Sequence, residues 1–229
     1  RFRTKPFGET RMRVPRIFGP RALKRVIRKV KPDLIHSMEF QHAGYLVLRT
    51  KELMNKATFP TWMATNWGSD IYYYQRYDDH RRQITRLLQQ IDYYSCECSR
   101  DIDLARNLGM TAPAMPVLPN TGGFDIAAIA GMRNATAPSA RKLIMVKGYQ
   151  HFAGRSLTAL AALEQCVDLL AGYEIMVFSA SRNPDVYAKV DELREEHRLM
   201  ISVLDHTDHA TMMELFGQAR VYLGVSISD

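Results

Sequence analysis

The sequence predicts an α/β protein made of two doubly wound parallel-sheet domains, the second of them incomplete. Three observations carry that expectation. Short apolar runs alternate with amphipathic helical stretches along most of the chain, as in successive βαβ units. Near the middle the rhythm breaks in a stretch of small and polar residues that ends Asn134-Ala135-Thr136-Ala137-Pro138-Ser139-Ala140. The chain has 229 residues, 46% hydrophobic and 24% charged, enough for sizeable cores, which excludes a disordered tail, a collagen-like rod and a disulfide-stapled miniprotein. The expected division is a first domain over 1–125, a linker over 126–140 and a second domain over 141–229.

In the first domain, Arg21 to Lys31 places Leu23, Val26, Ile27 and Val30 at helical spacing, with Lys24, Arg25, Arg28 and Lys29 on the other side. Lys31-Pro32-Asp33 stops that helix, and Leu34 to Ser37 reads as a buried strand. His42 to Met54 is a helix. Pro60 to Thr65 is a strand running into Trp67-Gly68-Ser69-Asp70. Asp78 to Ile91 is a charged helix and Tyr93 to Cys98 a strand. Ser99 to Leu108 is a helix with Ser99 as N-cap and Gly109 beyond its end. Met115 to Leu118 reads as a strand ended by Pro119-Asn120.

The second domain alternates more regularly. Lys142 to Val146, Glu174 to Ser179, Leu199 to Leu204 and Val221 to Val225 read as strands. Between them lie helices over 154–170, over 184–196 with Pro184 in its first turn, and over 209–219. The sequence stops at Asp229, directly after a strand, so the sheet is expected to lack part of its cover.

Charge is unevenly spread. Residues 1–31 hold twelve Lys/Arg against Glu9 alone, a net of +11, and the other 198 residues carry nineteen bases and twenty-three acids, a net of −4. A local patch of this kind suits phosphate-rich nucleic acid or an anionic membrane. The basic–aromatic interleaving or reader module of a nucleic-acid binder is not found outside that segment, so no nucleic acid is expected. No run approaches the roughly 18 to 20 apolar residues of a membrane-spanning helix. The three cysteines, Cys96, Cys98 and Cys166, form neither a disulfide framework nor a zinc pattern and point to a reducing, cytoplasmic compartment.

Several polar residues stand where doubly wound domains bind ligands, at the carboxyl ends of expected strands. Lys147-Gly148 follows Ile144-Met145-Val146, and Gly154-Arg155-Ser156 opens the next helix, whose amides could face an anion. The alternative for Lys147 is a solvated loop lysine. Trp67-Gly68-Ser69-Asp70 also follows a strand, with the aromatic run Tyr72-Tyr73-Tyr74 and Tyr77 suited to a sugar face; a core edge and turn explains it equally. His36 ends a strand and forms a polar cluster with Glu39, Gln41 and His42, a position more often structural than catalytic. No Gly-x-Gly-x-x-Gly or P-loop lysine motif is present, which argues against a dinucleotide oxidoreductase or an ATPase. In His206-Thr207-Asp208-His209, Asp208 reads as a helix N-cap rather than a metal ligand.

Taken in order, Lys31-Pro32-Asp33-Leu34-Ile35-His36, Trp67-Gly68-Ser69-Asp70, Cys98-Ser99-Arg100-Asp101, Leu118 to Asp125, Val146 to Gln150 and Ala219 to Asp229 resemble a group 1 (family 4) retaining glycosyltransferase of the two-Rossmann, GT-B type. The resemblance runs from about residue 31 to the end. It implies an internal piece of a longer enzyme that moves a sugar from a nucleotide-sugar co-substrate to a glycan or lipid-linked acceptor with retained configuration. No other cofactor and no divalent metal are implied. Lys147, Gly148, Arg155 and Asp229 would hold the donor. His36, Trp67, Gly68, Ser69 and Asp70 would line the acceptor side of the cleft, and residues 1–31 would touch anionic membrane peripherally. Three departures accompany the resemblance. The family's glycine-rich loop after the first strand is not in the sequence. The Gly-Arg and Lys-Gly elements of the diphosphate site occur in altered order. Of two acids spaced eight apart on the donor sugar, only the first has a match, Asp229. The 229 residues alone are therefore expected not to turn over. The reading from another class is a basic-patch binding protein without chemistry.

Overall fold

The computed structural model describes residues 19–120 and 123–227, and the chain divides into two compact units, Arg1–Gly122 and Gly123–Asp229. The first contains α1 (Gly19–Val30), β1 (Leu34–Met38), α2 (Tyr45–Glu52), β2 (Thr61–Thr65), α3 (Gly68–Tyr72), α4 (Asp78–Leu88), β3 (Tyr93–Ser95) and α5 (Ser99–Asn107). Its three strands are parallel, in the order β1-β2-β3. Phe40, Trp62, Ile71, Ile84, Leu87 and Tyr94 are fully buried between sheet and helices, each large apolar side chain contributing about 1.5 to 3 kcal/mol. The Trp62 indole N–H donates to Ser37 Oγ at 2.9 Å, so neither buried polar group is orphaned.

Local chemistry moves several expected boundaries. α1 ends where Lys31 turns left-handed at φ 49° and Pro32 bars continuation. The helix expected from His42 begins three residues later, because Phe40–Gly44 first form a π turn capped by the Glu39 carboxylate. Cys98, not Ser99, is the N-cap of α5, and Gly109 ends that region at φ 88° as expected. The strand expected over 115–118 does not form. Tyr94 pairs with Ala114 in a single bridge, and Pro113, Pro116 and Pro119 remove ladder donors at every third position.

The second unit contains α6 (Ile126–Gly131), β4 (Leu143–Lys147), α7 (Ser156–Glu164), β5 (Glu174–Phe178), α8 (Pro184–Glu196), β6 (Met200–Leu204), α9 (His209–Gln218) and β7 (Ala219–Leu223). α6 lies inside the stretch read as linker; Asp125 caps it, and none of its residues is buried. All four strands are parallel in the order β6-β5-β4-β7. Counted within the unit this is third, second, first, fourth, the doubly wound arrangement in which the winding reverses between β4 and β7. Ile144, Val146, Ile175 and Val177 pack on α7 and α8, while Met145 and Phe178 meet α9 through Met212, Leu215 and Phe216. Burial on both faces explains the unbroken apolar run of β4. β7 is an edge strand, with Val221 and Tyr222 about half exposed. Asp208 caps α9 as expected, accepting from Thr211 N at 2.9 Å.

Candidate functional site

In the second unit the switch point between β4 and β7 falls at Lys147-Gly148. Gly148 is needed there for its lack of a side chain. A Cβ would lie 2.8 Å from Phe178 O and 2.9 Å from the backbone of Ala180, while the Gly148 N–H donates to Phe178 O at 2.7 Å. Gly154 is equally enclosed, a Cβ meeting Tyr149 O at 2.5 Å. These two glycines let residues 148–155 fold back as a tight rim, pinned by the bridges Gln150–Arg155 and Gly154–Ser226. Along the rim the Lys147 ammonium sits 4.7 Å from the Tyr149 ring centre, the Tyr149 and His151 rings are 5.3 Å apart, and Arg155 Nη1 donates to His151 O at 3.3 Å. Lys147 and Arg155 are thus joined through one run of contacts.

The N-terminus of α7 is not the open amide cradle expected. Ser156 N–H donates to Tyr149 O at 3.0 Å and Leu157 N–H to the Gln150 side chain at 3.1 Å. Positive side chains, rather than helix amides, are what this rim offers an anion. Ser156 Oγ is buried and, among the described residues, has no hydrogen-bond partner. Asp229, expected on the donor sugar, lies outside the described residues, as do residues 1–18 of the basic segment.

In the first unit His36, expected at a strand end, stands mid-strand because β1 runs on to Met38; its Nε2 lies 2.7 Å from Thr65 Oγ1, and partial burial of the ring lowers the imidazole pKa. Trp67 projects outward, half exposed, while Gly68 and Ser69 form the first turn of α3. Asp70 departs from the strand-edge role expected of it. It is 4% exposed, and its Oδ2 accepts from Trp67 N and Phe40 N, both at 2.9 Å, tying the β2–α3 turn to the β1–α2 turn. Burial pushes its carboxyl up to about 7, Glu39 and Asp101 add to the rise, and the two amide bonds oppose it.

Sequence reasoning missed the buried network behind this edge. Asn66 is fully buried, donates to Asp101 Oδ2 at 2.8 Å and accepts from the Tyr94 hydroxyl, whose pKa burial raises. Asp101 pairs with Arg100 at 3.0 Å, and the Arg100 guanidinium stacks 4.0 Å from the Tyr72 ring centre. Glu39 sits at φ 78°, a left-handed value unusual for a side-chain-bearing residue, and its carboxylate accepts from His42 N, Ala43 N and His42 Nδ1. The signal for Asn66 was its place just past the end of an apolar strand. Asp101 and Asp103 have Asp-x-Asp spacing, but α5 separates them. Asp101 is buried on Asn66 and Arg100, and Asp103 is exposed on Arg106, so they present no shared metal face. Among the described residues no cluster of His, Cys, Asp or Glu fits a metal ion.

Fold and site define a two-unit, Rossmann-like α/β protein with a basic rim at the switch point of its second unit. Residues 9–96 match the model of a family described as glycosyl transferase 4-like. Similar solved structures include Anabaena HepE in complex with UDP and glucose, with TM-score 0.61 and 12% identity over 97% of this chain and 59% of that one. A glycosyltransferase from Rickettsia africae gives TM-score 0.55 and 13% identity over 99% and 59%. A UDP-GlcNAc 2-epimerase from Neisseria meningitidis bound to UDP-GlcNAc gives 0.58 and 9% over 89% and 57%. At such identities the likeness establishes the fold, and it is the fold class expected from the sequence. The chain spans 57–59% of the length of these three solved structures. Among curated proteins it has no match.

Proposed function

We propose that this chain is part of a glycosyltransferase that takes a sugar from a nucleotide-sugar donor and passes it, with retained configuration, to a glycan or lipid-linked acceptor. The observation that carries the reading is the placement of Lys147 and Gly148 at the β4–β7 switch point, with Arg155 joined to Lys147 along the same rim. Positive charge held there steadies the departing nucleotide diphosphate, the largest charge that develops as the glycosidic bond breaks. Lys147 and Arg155 supply it, and Gly148 allows close approach. Asp229 would contact donor hydroxyls.

On the acceptor side, His36 and Trp67 with Gly68 and Ser69 face the acceptor, and Asp70 holds their turn from within. The family model matched over residues 9–96 favours transfer over epimerisation. UDP is the first nucleotide to test, because related folds are seen with UDP or UDP-GlcNAc. A binding protein without chemistry is not favoured: the basic segment is remote in sequence from the switch-point rim and explains none of its geometry.

The test is release of nucleotide diphosphate from a panel of nucleotide sugars with mixed acceptors. The chain extended C-terminally by about 100 residues, enough for a domain of usual size, is expected to release nucleotide from at least one donor. The 229-residue chain, with Val221 and Tyr222 of β7 uncovered, is expected to bind donor weakly and transfer nothing. An extended chain that is folded yet inert toward every donor would overturn the reading.

A further inference from the structure

The connection from β2 to α4 carries an aromatic cluster that the donor rim does not use. Tyr72 ends α3, Tyr74–Arg76 form one tight turn, and Tyr77 is the residue before α4. The Tyr73 and Tyr77 hydroxyls are 2.7 Å apart, with the two rings edge to face at 5.6 Å between centres. The Tyr74 ring lies 4.7 Å from His80, and the Tyr45 hydroxyl meets His80 Nδ1 at 3.1 Å, which fastens the start of α4 to α2.

Two guanidinium groups share the Tyr72 ring, Arg100 at 4.0 Å and Arg76 at 5.0 Å from its centre, and Arg76 also lies 5.6 Å from the centre of the Tyr73 ring. Arg100 stands in the first turn of α5, just beyond β3, so this stacking fixes the cluster at the carboxyl edge of the sheet, the edge that carries Trp67. The two arginines differ in charge balance. Arg100 is paired with the buried Asp101 at 3.0 Å. The exposed Arg76 side chain has its two ring contacts but, among the described residues, no carboxylate or hydrogen-bond acceptor. Of the acids that follow it, Asp79 pairs with Arg82, and Asp78 stands in the first turn of α4, where the helix end favours negative charge.

We propose that this cluster binds an acidic sugar of the acceptor glycan, Arg76 taking the carboxylate of a uronic acid residue. The rings of Tyr77 and Trp67, 48% and 51% exposed, cover the apolar C–H faces of neighbouring sugars. The inference rests on the transferase reading and narrows its acceptor. A guanidinium already seated on aromatic rings loses little freedom on binding, and its planar fork matches a carboxylate in two parallel hydrogen bonds. α3 is five residues long, about 7 Å, so Trp67 and Tyr72 stand at its two ends within reach of one oligosaccharide. A neutral glycan would leave Arg76 without a partner, and a bare diphosphate would leave Tyr77 and Trp67 in water. An acidic glycan engages both.

The test is calorimetric titration of the chain, without donor, with tetrasaccharides of polygalacturonate, alginate and hyaluronan, their methyl esters, and cellotetraose. At least one acid should bind, with its ester and cellotetraose about tenfold weaker or more. Arg76→Gln should lower affinity for that acid about tenfold, and Arg76→Lys by less, since it keeps the charge but not the fork. Tyr77→Ala should weaken it as well. Arg82→Gln, which removes a nearby charge already paired with Asp79, should leave it unchanged. Equal affinity for acid and ester, equal losses in Arg76→Gln and Arg82→Gln, or no acid bound by the folded chain would each overturn the proposal. Displacement of the acid by equimolar inorganic pyrophosphate would also overturn it, in favour of a lipid-linked diphosphate at Arg76. UDP is titrated into the same parent chain. UDP binding without glycan binding overturns this inference alone, and glycan binding without UDP binding puts the donor reading, not this site, at fault.

Discussion

Asp70 shows how a motif read as a ligand-facing edge can belong to the frame behind it. Its place after a strand was legible, but its direction was not. Which way a carboxylate turns depends on amides from two different connections, Phe40 N and Trp67 N, that only the tertiary fold brings together. Its titration follows from the same burial. An unfolded aspartate titrates near pH 3.9, whereas Asp70 in the fold titrates at about 7, so between these values the folded chain holds a proton the unfolded chain has lost. The contribution of Asp70 to stability therefore falls as pH rises through that window. Asp70→Asn should remove this slope, a difference of a few kcal/mol at most across about three pH units. Both tryptophans, Trp62 and Trp67, lie in the first unit, so urea unfolding followed by tryptophan fluorescence at acid and neutral pH reads the effect there. Parallel pH profiles for the parent chain and the variant would show that Asp70 does not titrate in this range.

Helices and strands were legible where one period ran unopposed, as in α8 between Pro184 and Glu196 and in the all-buried β4. They were misread where backbone chemistry outweighed the apolar pattern. Three prolines dissolved the strand expected at 115–118, and the Glu39 cap delayed α2 by a π turn. The β4–α7 rim is the element on which the proposed donor site rests, and its glycines define a test. Gly148→Ala drives a Cβ against backbone atoms of Phe178 and Ala180, which cannot swing aside as a side chain would. The expected cost is about 1 to 3 kcal/mol of stability with a displaced rim and weaker UDP binding. Gly131→Ala, whose Cβ meets nothing within 4 Å, is the control and should leave both unchanged. Normal stability and UDP binding in the Gly148 variant would mean the rim has room that the close approach denies.

Across the whole chain, alternation of apolar runs and amphipathic helices was enough to give the fold class, because parallel sheets covered on both faces leave that pattern in any order of strands. Strand order is set by packing, and it is the order β6-β5-β4-β7 that turns Lys147 from an ordinary loop lysine into a residue at the switch point. The lysine was legible from the sequence; its contact through Tyr149 and His151 to Arg155, and the engagement of the α7 amides, were not. The charge imbalance between the first 31 residues and the remainder was legible as a total, as was the tyrosine run at 72–74, whereas the stacking of Arg100 on Tyr72 required α3 and α5 to be brought together. On the proposed reading, the β4–β7 rim recognises a nucleotide diphosphate through the charge on Lys147. Calorimetric titration of UDP into the parent chain and into Lys147→Ala tests it most directly. Loss of a charge-assisted hydrogen bond should weaken binding by about 1.5 to 3 kcal/mol, roughly a tenfold to hundredfold rise in Kd. An unchanged Kd in the folded variant would contradict the claim.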